Sequence, residues 1–442
     1  MMELAGKRVL VVGLGVTGRS AARFLSARGA RFVLADQRGD IPREDLPLDA
    51  ELHLGPESVA CLDAVDLVIP SPGVPRDNPL LREAVAARIP VLSELELASR
   101  FLDGLLVAIT GTNGKSTVTA MLGEVLKAAG MRPFVGGNLG TPLIDAMGVE
   151  HDIAVVEVSS FQLEWIERFR PHVAIHLNLS DDHLYRYRDL EEYGHFKARI
   201  FENQRADDYA IINRDDPHVW RLNGRLKART INFGLTPAAV LPAIRLDRDE
   251  LVLDDGANQR RVGIGSLRLP GRHNLANAMA VAAAALVLGV DPKSIERAFA
   301  EFTGLAHRIE FVRERNGVSF VDDSKGTNVG ATLEALAAVA APIIWIAGGV
   351  DKGGDYSPLR ALLKEKVRRA ILIGAARHKM QAALGDVTEV ELTATLADAV
   401  ARAAAIATRG DTVLLSPACS SFDQFRDYEE RGRIFKELAR AL

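Results

Sequence analysis

The chain has 442 residues, 48% of them hydrophobic and 25% charged, the balance of a globular protein. At roughly 150 residues per domain, that length predicts three domains. A formal net charge of −4 excludes the basic field that draws proteins to nucleic acid, so an anionic substrate would need local lysines, arginines, helix N-termini or metal.

Met1 to Lys7 lacks a basic run followed by an apolar core, so no signal peptide is expected. Arg8-Val-Leu-Val-Val12 predicts a strand, Gly13-Leu14-Gly15-Val16-Thr17-Gly18 a tight turn, and the next residues a helix to about Arg28. A second strand, Arg31 to Ala35, ends at Asp36 and Gln37. Gly-x-Gly-x-x-Gly after a strand, with an acid about 20 residues on, matches the dinucleotide fingerprint, and alone it reads as an NAD-dependent oxidoreductase. The strand Asp66 to Ile69 runs into Pro70-Ser71-Pro72-Gly73-Val-Pro75, a rigid turn. Cys61 and, far away, Cys419 are the two cysteines, which excludes a disulfide framework and fits a reducing cytosol. Ser93 to Asp103 reads as a connector.

The strand Leu105 to Ile109 leads into Thr110-Gly111-Thr112-Asn113-Gly114-Lys115-Ser116-Thr117 and a helical pattern, Val118 to Ala129. Glycines let backbone N–H groups close around phosphate oxygens, and the helix N-terminus adds positive charge. Lys115 can reach β- and γ-phosphates, and the Ser116 hydroxyl can bind Mg²⁺. The spacing is a variant of the Walker-A loop, whose first glycine would fall at Ile109. A P-loop needs an acid on a neighbouring strand to organise the metal. Glu157 ends the otherwise apolar Ile153–Val158, where a charge is costly unless paired or metal-bound. Ser159-Ser-Phe-Gln-Leu-Glu164 follows as a loop over the same edge. The next strand, His172 to Leu177, runs into Asn178-Leu-Ser-Asp-Asp-His183, which makes His183 a candidate second ligand. Lys197 lies in a predicted helix, where most lysines are solvated surface charges. Short alternating runs between about Arg229 and Val262 predict antiparallel strands. Ala278 to Val290 is the longest apolar run and falls short of the ~20 residues that span a bilayer, so it reads as a buried helix and no membrane partner is expected. After a boundary near Gly304, strands recur at Ser319 to Val321, Ile343 to Ile346, Ala370 to Ile373 and Thr412 to Leu415. Strand–helix alternation throughout is the signature of α/β folds with parallel sheets.

Gly111-Thr-Asn-Gly-Lys-Ser-Thr117, Glu157 before Ser-Ser-Phe-Gln-Leu-Glu, and Asp182-His183 together resemble the Mur ligase family. Gly271-Arg-His-Asn274 with Asn277, His307-Arg308, Asp322-Asp-Ser-Lys-Gly-Thr-Asn328, Gly348-Gly-Val-Asp-Lys352 and Leu415-Ser-Pro-Ala-Cys-Ser-Ser-Phe-Asp-Gln-Phe425 extend the likeness over the whole chain. The resemblance implies three domains: a Rossmann-like one over 1–94, a central P-loop ATPase-like α/β domain with a small antiparallel sheet over 95–304, and a Rossmann-like α/β domain over 305–442. Within the family, the compact glycine-turn domain, Ser159–Glu164 and Ser416–Phe425 point to the member that adds D-glutamate to UDP-N-acetylmuramoyl-L-alanine.

The resemblance assigns roles residue by residue. Lys115, Glu157, His183 and Lys197 would be catalytic. Gly111 to Thr117, Asn274, Asn277, His307, Arg308 and Asp323 would bind ATP. Gly13, Leu14, Gly15, Val16, Thr17, Gly18, Asp36, Gln37, Ser71, Pro72, Gly73, Asn138 and Ser159 would cradle the UDP-linked substrate, with Asp36 towards uracil. Lys325, Thr327, Lys352, Ser421 and Tyr428 would grip D-glutamate. Ser116, Glu157, His183 and a carbamylated Lys197 would hold two Mg²⁺ ions, because a carbamate offers hard oxygen ligands where an ammonium would be repelled. A cytoplasmic monomer that closes its domains over small-molecule substrates is implied. Tyr185, Gly326 and Tyr428 depart from the family's usual Asp, Ala and Phe. Another Mur ligase or a folate polyglutamylating cousin, the NAD-dependent oxidoreductase and a nucleotide-binding regulator without catalysis are the competing readings. The oxidoreductase leaves Lys115, Glu157 and His183 without a role.

Overall fold

A computed structural model describes residues 2–39, 41, 46–47, 50–55, 59–138, 140–182, 186–269, 271–353 and 355–442. The chain forms two compact units, one from 1–178, 191–266 and 276–301, the other from 179–190, 267–275 and 302–442.

In the first unit a parallel four-stranded sheet runs Glu51–Leu54, Arg31–Asp36, Arg8–Val12, Leu67–Pro70. Its two inner strands are nearly all apolar because both faces are covered. The connector Ser93 to Asp103 contains a helix, Glu94–Ser99, capped by the Ser93 hydroxyl. Glu96 on that helix accepts the backbone N–H groups of Glu167, Arg168 and Phe169 at 2.9, 2.9 and 2.7 Å, and pairs with Arg100 at 2.7 Å. One buried carboxylate thus fastens the connector to the larger sheet of the same unit.

That larger sheet has nine strands, in the order Gln259–Gly263, Glu250–Asp254, Ala243–Asp247, Arg229–Phe233, Tyr209–Asn213, Val173–His176, Leu105–Thr110, Ile153–Glu157, Pro133–Gly137. The antiparallel strands expected after Arg229 are the edge of this sheet rather than a separate one. Leu105–Thr110 lies between Val173–His176 and Ile153–Glu157, all parallel, so Thr110, Glu157 and His176 reach the same C-terminal edge. Ligands of open α/β sheets bind at that edge.

The second unit holds a six-stranded sheet ordered Glu310–Arg315, Val318–Asp322, Thr412–Leu415, Ile343–Gly348, Val367–Ile373, Glu389–Leu392, with only the first strand antiparallel. Trp345 is wholly buried among Leu336, Leu359, Leu363 and Met380 on one face, while Phe320, Ile344, Val400 and Phe435 fill the other. The Trp345 indole N–H donates to the Ser416 carbonyl at 2.8 Å, which ties this core to the loop after Leu415. Among the described residues no helix is long and apolar enough to cross a membrane.

Candidate active site

The phosphate loop is built as the strand–loop–helix order requires. Gly114 caps the helix Lys115–Ala128 with φ 86°, a left-handed conformation that costs glycine nothing. A Cβ there would also lie 2.6 Å from the Asn277 side-chain oxygen, so the loop and the helix Arg272–Val287 approach too closely for a larger residue. Asn178 braces the loop. Its carbonyl accepts the Thr112 N–H at 2.9 Å, its side-chain oxygen accepts the Asn113 N–H at 2.8 Å, and its amide donates to the Asn113 carbonyl at 3.0 Å. Lys115 turns back to donate to the carbonyls of Gly111 and Thr112 at 2.9 and 2.8 Å.

Ser116 and Glu157 meet as expected for a metal-organising pair: the hydroxyl donates to the carboxylate at 2.5 Å. The other carboxylate oxygen accepts from the Asn138 amide at 2.8 Å. Glu157 is 4% exposed, and no cationic side chain pairs with it among the described residues. A buried carboxylate beside a hydroxyl is a hard-oxygen donor set that suits Mg²⁺. Lys197 is 1% exposed and donates to the Gly111 carbonyl at 2.8 Å, so a lysine 86 positions along the chain reaches the phosphate loop instead of solvent. His176, at the neighbouring strand end, is buried with neither ring nitrogen hydrogen-bonded. Burial, helped by the positive charges of Lys197 and Lys115, pushes its pKa down to about 3 and keeps it neutral. His183 and Tyr185 lie outside the described residues.

A cleft of about 440 Å³ gathers Gly13, Gly15, Val16, Thr17, Asp36, Gln37, Ser71, Pro72, Gly73 and Asn138, with Arg38 and Asn78 added. Leu14 and Gly18 stand behind it. A Cβ at Gly18 would fall 2.0 Å from the Gly13 carbonyl oxygen, the close packing that the third glycine of this fingerprint permits. Ser71 closes the turn by donating to that same oxygen at 2.6 Å. The Asp36 carboxylate is committed within the protein: it accepts the Leu14 N–H at 2.6 Å, the Arg38 N–H at 2.9 Å and the Arg38 guanidinium at 3.0 and 2.9 Å. Burial raises its pKa, but the Arg38 and Leu14 bonds outweigh that and hold it near 2. The Asp36–Arg38 ion pair, rather than a free carboxylate, thus lines the cleft. Ser159 caps the short helix Ser160–Leu163 in a reciprocal box with Gln162.

In the second unit the amino-acid candidates fall into two groups. Lys325 donates to the Tyr428 hydroxyl at 3.0 Å and lies 4.8 Å from its ring centre. Thr327 and Lys352 line a cavity of about 190 Å³ with Asp182 and Asn328. Lys352 lies 3.4 Å from the Thr327 hydroxyl and 3.6 Å from Asp182, which also accepts from Asn328 at 3.0 Å. Sequence reasoning passed over Asp182 as a site residue, although it adjoins His183. Ser421 is buried in the loop after Leu415. His307 shares a 2.6 Å hydrogen bond with Asp322. Asp323 accepts the Ser416 hydroxyl at 2.7 Å and has Arg308 at 3.8 Å; burial, against these two partners, lifts its pKa to about 6. Asn274 is buried near the start of the helix Arg272–Val287.

Known proteins are similar to this chain in sequence and in fold. Residues 7–93 match the Mur ligase MurD-like N-terminal domain, 109–285 the Mur ligase middle domain, and 307–419 the Mur ligase glutamate ligase domain. A protein of Geotalea uraniireducens named UDP-N-acetylmuramoylalanine–D-glutamate ligase is 47% identical over 448 aligned positions, covering 100% of this chain and 99% of that one. UDP-N-acetylmuramate–alanine ligase of Thermotoga maritima has the same fold, with a TM-score of 0.61 at 21% identity over 98% of this chain and 99% of that one. So does the MurF ligase of Thermotoga maritima, solved with ADP, with a TM-score of 0.61 at 18% identity over 99% and 96%.

Proposed function

We propose a reaction from one premise: this chain belongs to the Mur ligase family, and it adds D-glutamate to UDP-N-acetylmuramoyl-L-alanine at the expense of ATP. The nicotinamide reading of Gly13 to Gly18 falls away, because that turn lies within a Mur ligase N-terminal domain. What carries the chemistry is the Ser116 hydroxyl on the buried Glu157 carboxylate beside a lysine-bearing phosphate loop.

A free carboxylate is a poor acyl donor, since its leaving group would be oxide. In our reading ATP gives its γ-phosphoryl to the alanyl carboxylate, which forms an acyl-phosphate and ADP. The D-glutamate amine attacks that carbonyl, loses a proton, and expels phosphate to leave an amide. Gly111 to Thr117 hold the nucleotide's phosphates, and Lys115 swings from its own loop carbonyls to the transferring phosphoryl. The loop's donors are fixed before the reaction, the condition under which electrostatic stabilisation costs no reorganisation. The glycine turn at Gly13 to Gly18, with Arg38, takes the uridine diphosphate. Lys325, Thr327, Lys352, Ser421 and Tyr428 bind the two glutamate carboxylates. Asn274, Asn277, His307, Arg308 and Asp323 serve the nucleotide. Ser116 and Glu157 would hold one Mg²⁺, and Glu157, His183 and a carbamylated Lys197 a second, which would supply charge neutralisation at phosphoryl oxygens. A carbamate at the buried Lys197 would offer the metal anionic oxygen ligands where an ammonium would be repelled. We assign the domains as 1–94, 95–304 and 305–442 and read the protein as a cytoplasmic monomer.

Purified protein with ATP and Mg²⁺ should release phosphate only when both the UDP-linked acceptor and D-glutamate are present, and Lys115→Ala should abolish the release. Release with L-glutamate and a folate in their place would refute the assignment.

A further inference from the structure

Arg431 is a guanidinium that the reaction above does not use. It is 1% exposed, lies one turn after Tyr428 on the helix Tyr428–Ala441, and among the described residues no carboxylate pairs with it. It bonds to backbone and hydroxyl oxygens instead. Nε donates to the Ser324 hydroxyl at 3.0 Å, and Nη2 donates to the Ser324 carbonyl at 2.8 Å. Both terminal nitrogens reach the Cys419 carbonyl at 3.3 Å, and Nη1 lies 3.5 Å from the Gly348 carbonyl. The Ser324 hydroxyl in turn donates to the Tyr428 carbonyl at 2.8 Å.

These oxygens belong to three different loops. Ser324 follows the strand Val318–Asp322 and precedes Lys325 and Thr327. Gly348 ends the strand Ile343–Gly348 and precedes Lys352. Cys419 follows the strand Thr412–Leu415 and precedes Ser421. Each loop therefore carries at least one of the groups read above as gripping D-glutamate, and one buried cation holds all three. Burying a guanidinium without a counter-ion is costly, and burial pulls its pKa down to about 10, so it stays charged at neutral pH. A fold needing only packing at this point would place an apolar residue there.

We propose that Arg431 is the positioning residue of the D-glutamate pocket: its planar fork locks the loops bearing Lys325, Lys352 and Ser421 in one arrangement. This rests on the D-glutamate reading. Lysine cannot copy the fork, since a single ammonium presents no fixed pair of parallel donors.

The test measures KM for D-glutamate, for ATP and for the UDP-linked acceptor in wild type, Arg431→Lys and Ser324→Ala, with single-turnover ADP formation in the absence of D-glutamate. Arg431→Lys is expected to raise KM for D-glutamate roughly tenfold or more, while the other two constants and the ADP burst stay within about twofold. Ser324→Ala, which removes one oxygen of the lock, is expected to raise the same constant by roughly threefold and decides the matter if Arg431→Lys does not fold. An unchanged D-glutamate constant, or an equal loss for all three substrates and the burst, overturns the inference and leaves Arg431 a structural residue. A wild-type enzyme whose turnover does not depend on D-glutamate overturns the underlying reading, and that result comes from the wild type alone.

Discussion

Glu94 offers a test of the junction on which the first unit depends. It is 2% exposed on the connector helix; one oxygen accepts the Ile144 N–H at 2.6 Å, and the other is buried without a partner. Burial pushes its pKa from 4.5 up to about 7, the Ile144 bond works against that, and Asp145 adds to it. An acid with a raised pKa favours the protonated fold. The cost of ionising it is therefore absent below 4.5, grows as pH rises, and is complete above about 7. At roughly 1.4 kcal/mol per pH unit, that interval is worth about 3 kcal/mol. Glu94→Gln keeps an acceptor for the Ile144 N–H and deletes the charge. Urea unfolding of both proteins should show the variant gaining roughly 2–3 kcal/mol on wild type between about pH 5 and about pH 8. Two stability profiles that run parallel over that range would refute the argument, because Glu94 would then titrate alike in the folded and unfolded chain.

Asp36→Asn should raise KM for the UDP-linked acceptor roughly tenfold by weakening the charged bonds to Leu14 and Arg38, and leave KM for ATP unchanged. Because the native carboxyl is held near 2, below its usual 3.8, its contribution to stability is present above 3.8 and lost only as pH falls through about 2, so the acceptor constant should not change with ionisation of Asp36 across the neutral range. Wild type equilibrated with carbon-13-labelled bicarbonate should show a carbamate carbon by NMR that Lys197→Met lacks; identical spectra would remove Lys197 from the metal site. Tyr428→Phe loses the 3.0 Å bond to Lys325 but keeps the ring beside the ammonium, so KM for D-glutamate should rise by only about two- to fivefold.

The phosphate loop was readable from the chain because its chemistry is local: the last residue of a strand, a glycine that tolerates a left-handed turn, and a lysine and serine at the head of a helix fall within the segment Thr110 to Thr117. The Gly13–Gly18 turn was readable for the same reason, although the sequence left open which pyrophosphate it holds. Glu157 stood out as a lone charge in an apolar strand. Arg431 carried no comparable signal, and the partners that give Asn178 and Asp182 their roles lie 65 and 170 positions away. Asp36 was recognised, but the tertiary structure commits its carboxylate to Leu14 and Arg38. Periodicity tells which face of an element is buried; it does not tell which distant carbonyl or N–H will meet a side chain there. That choice is made when the strands take their order in the sheet and bring the ends of separate segments to one edge.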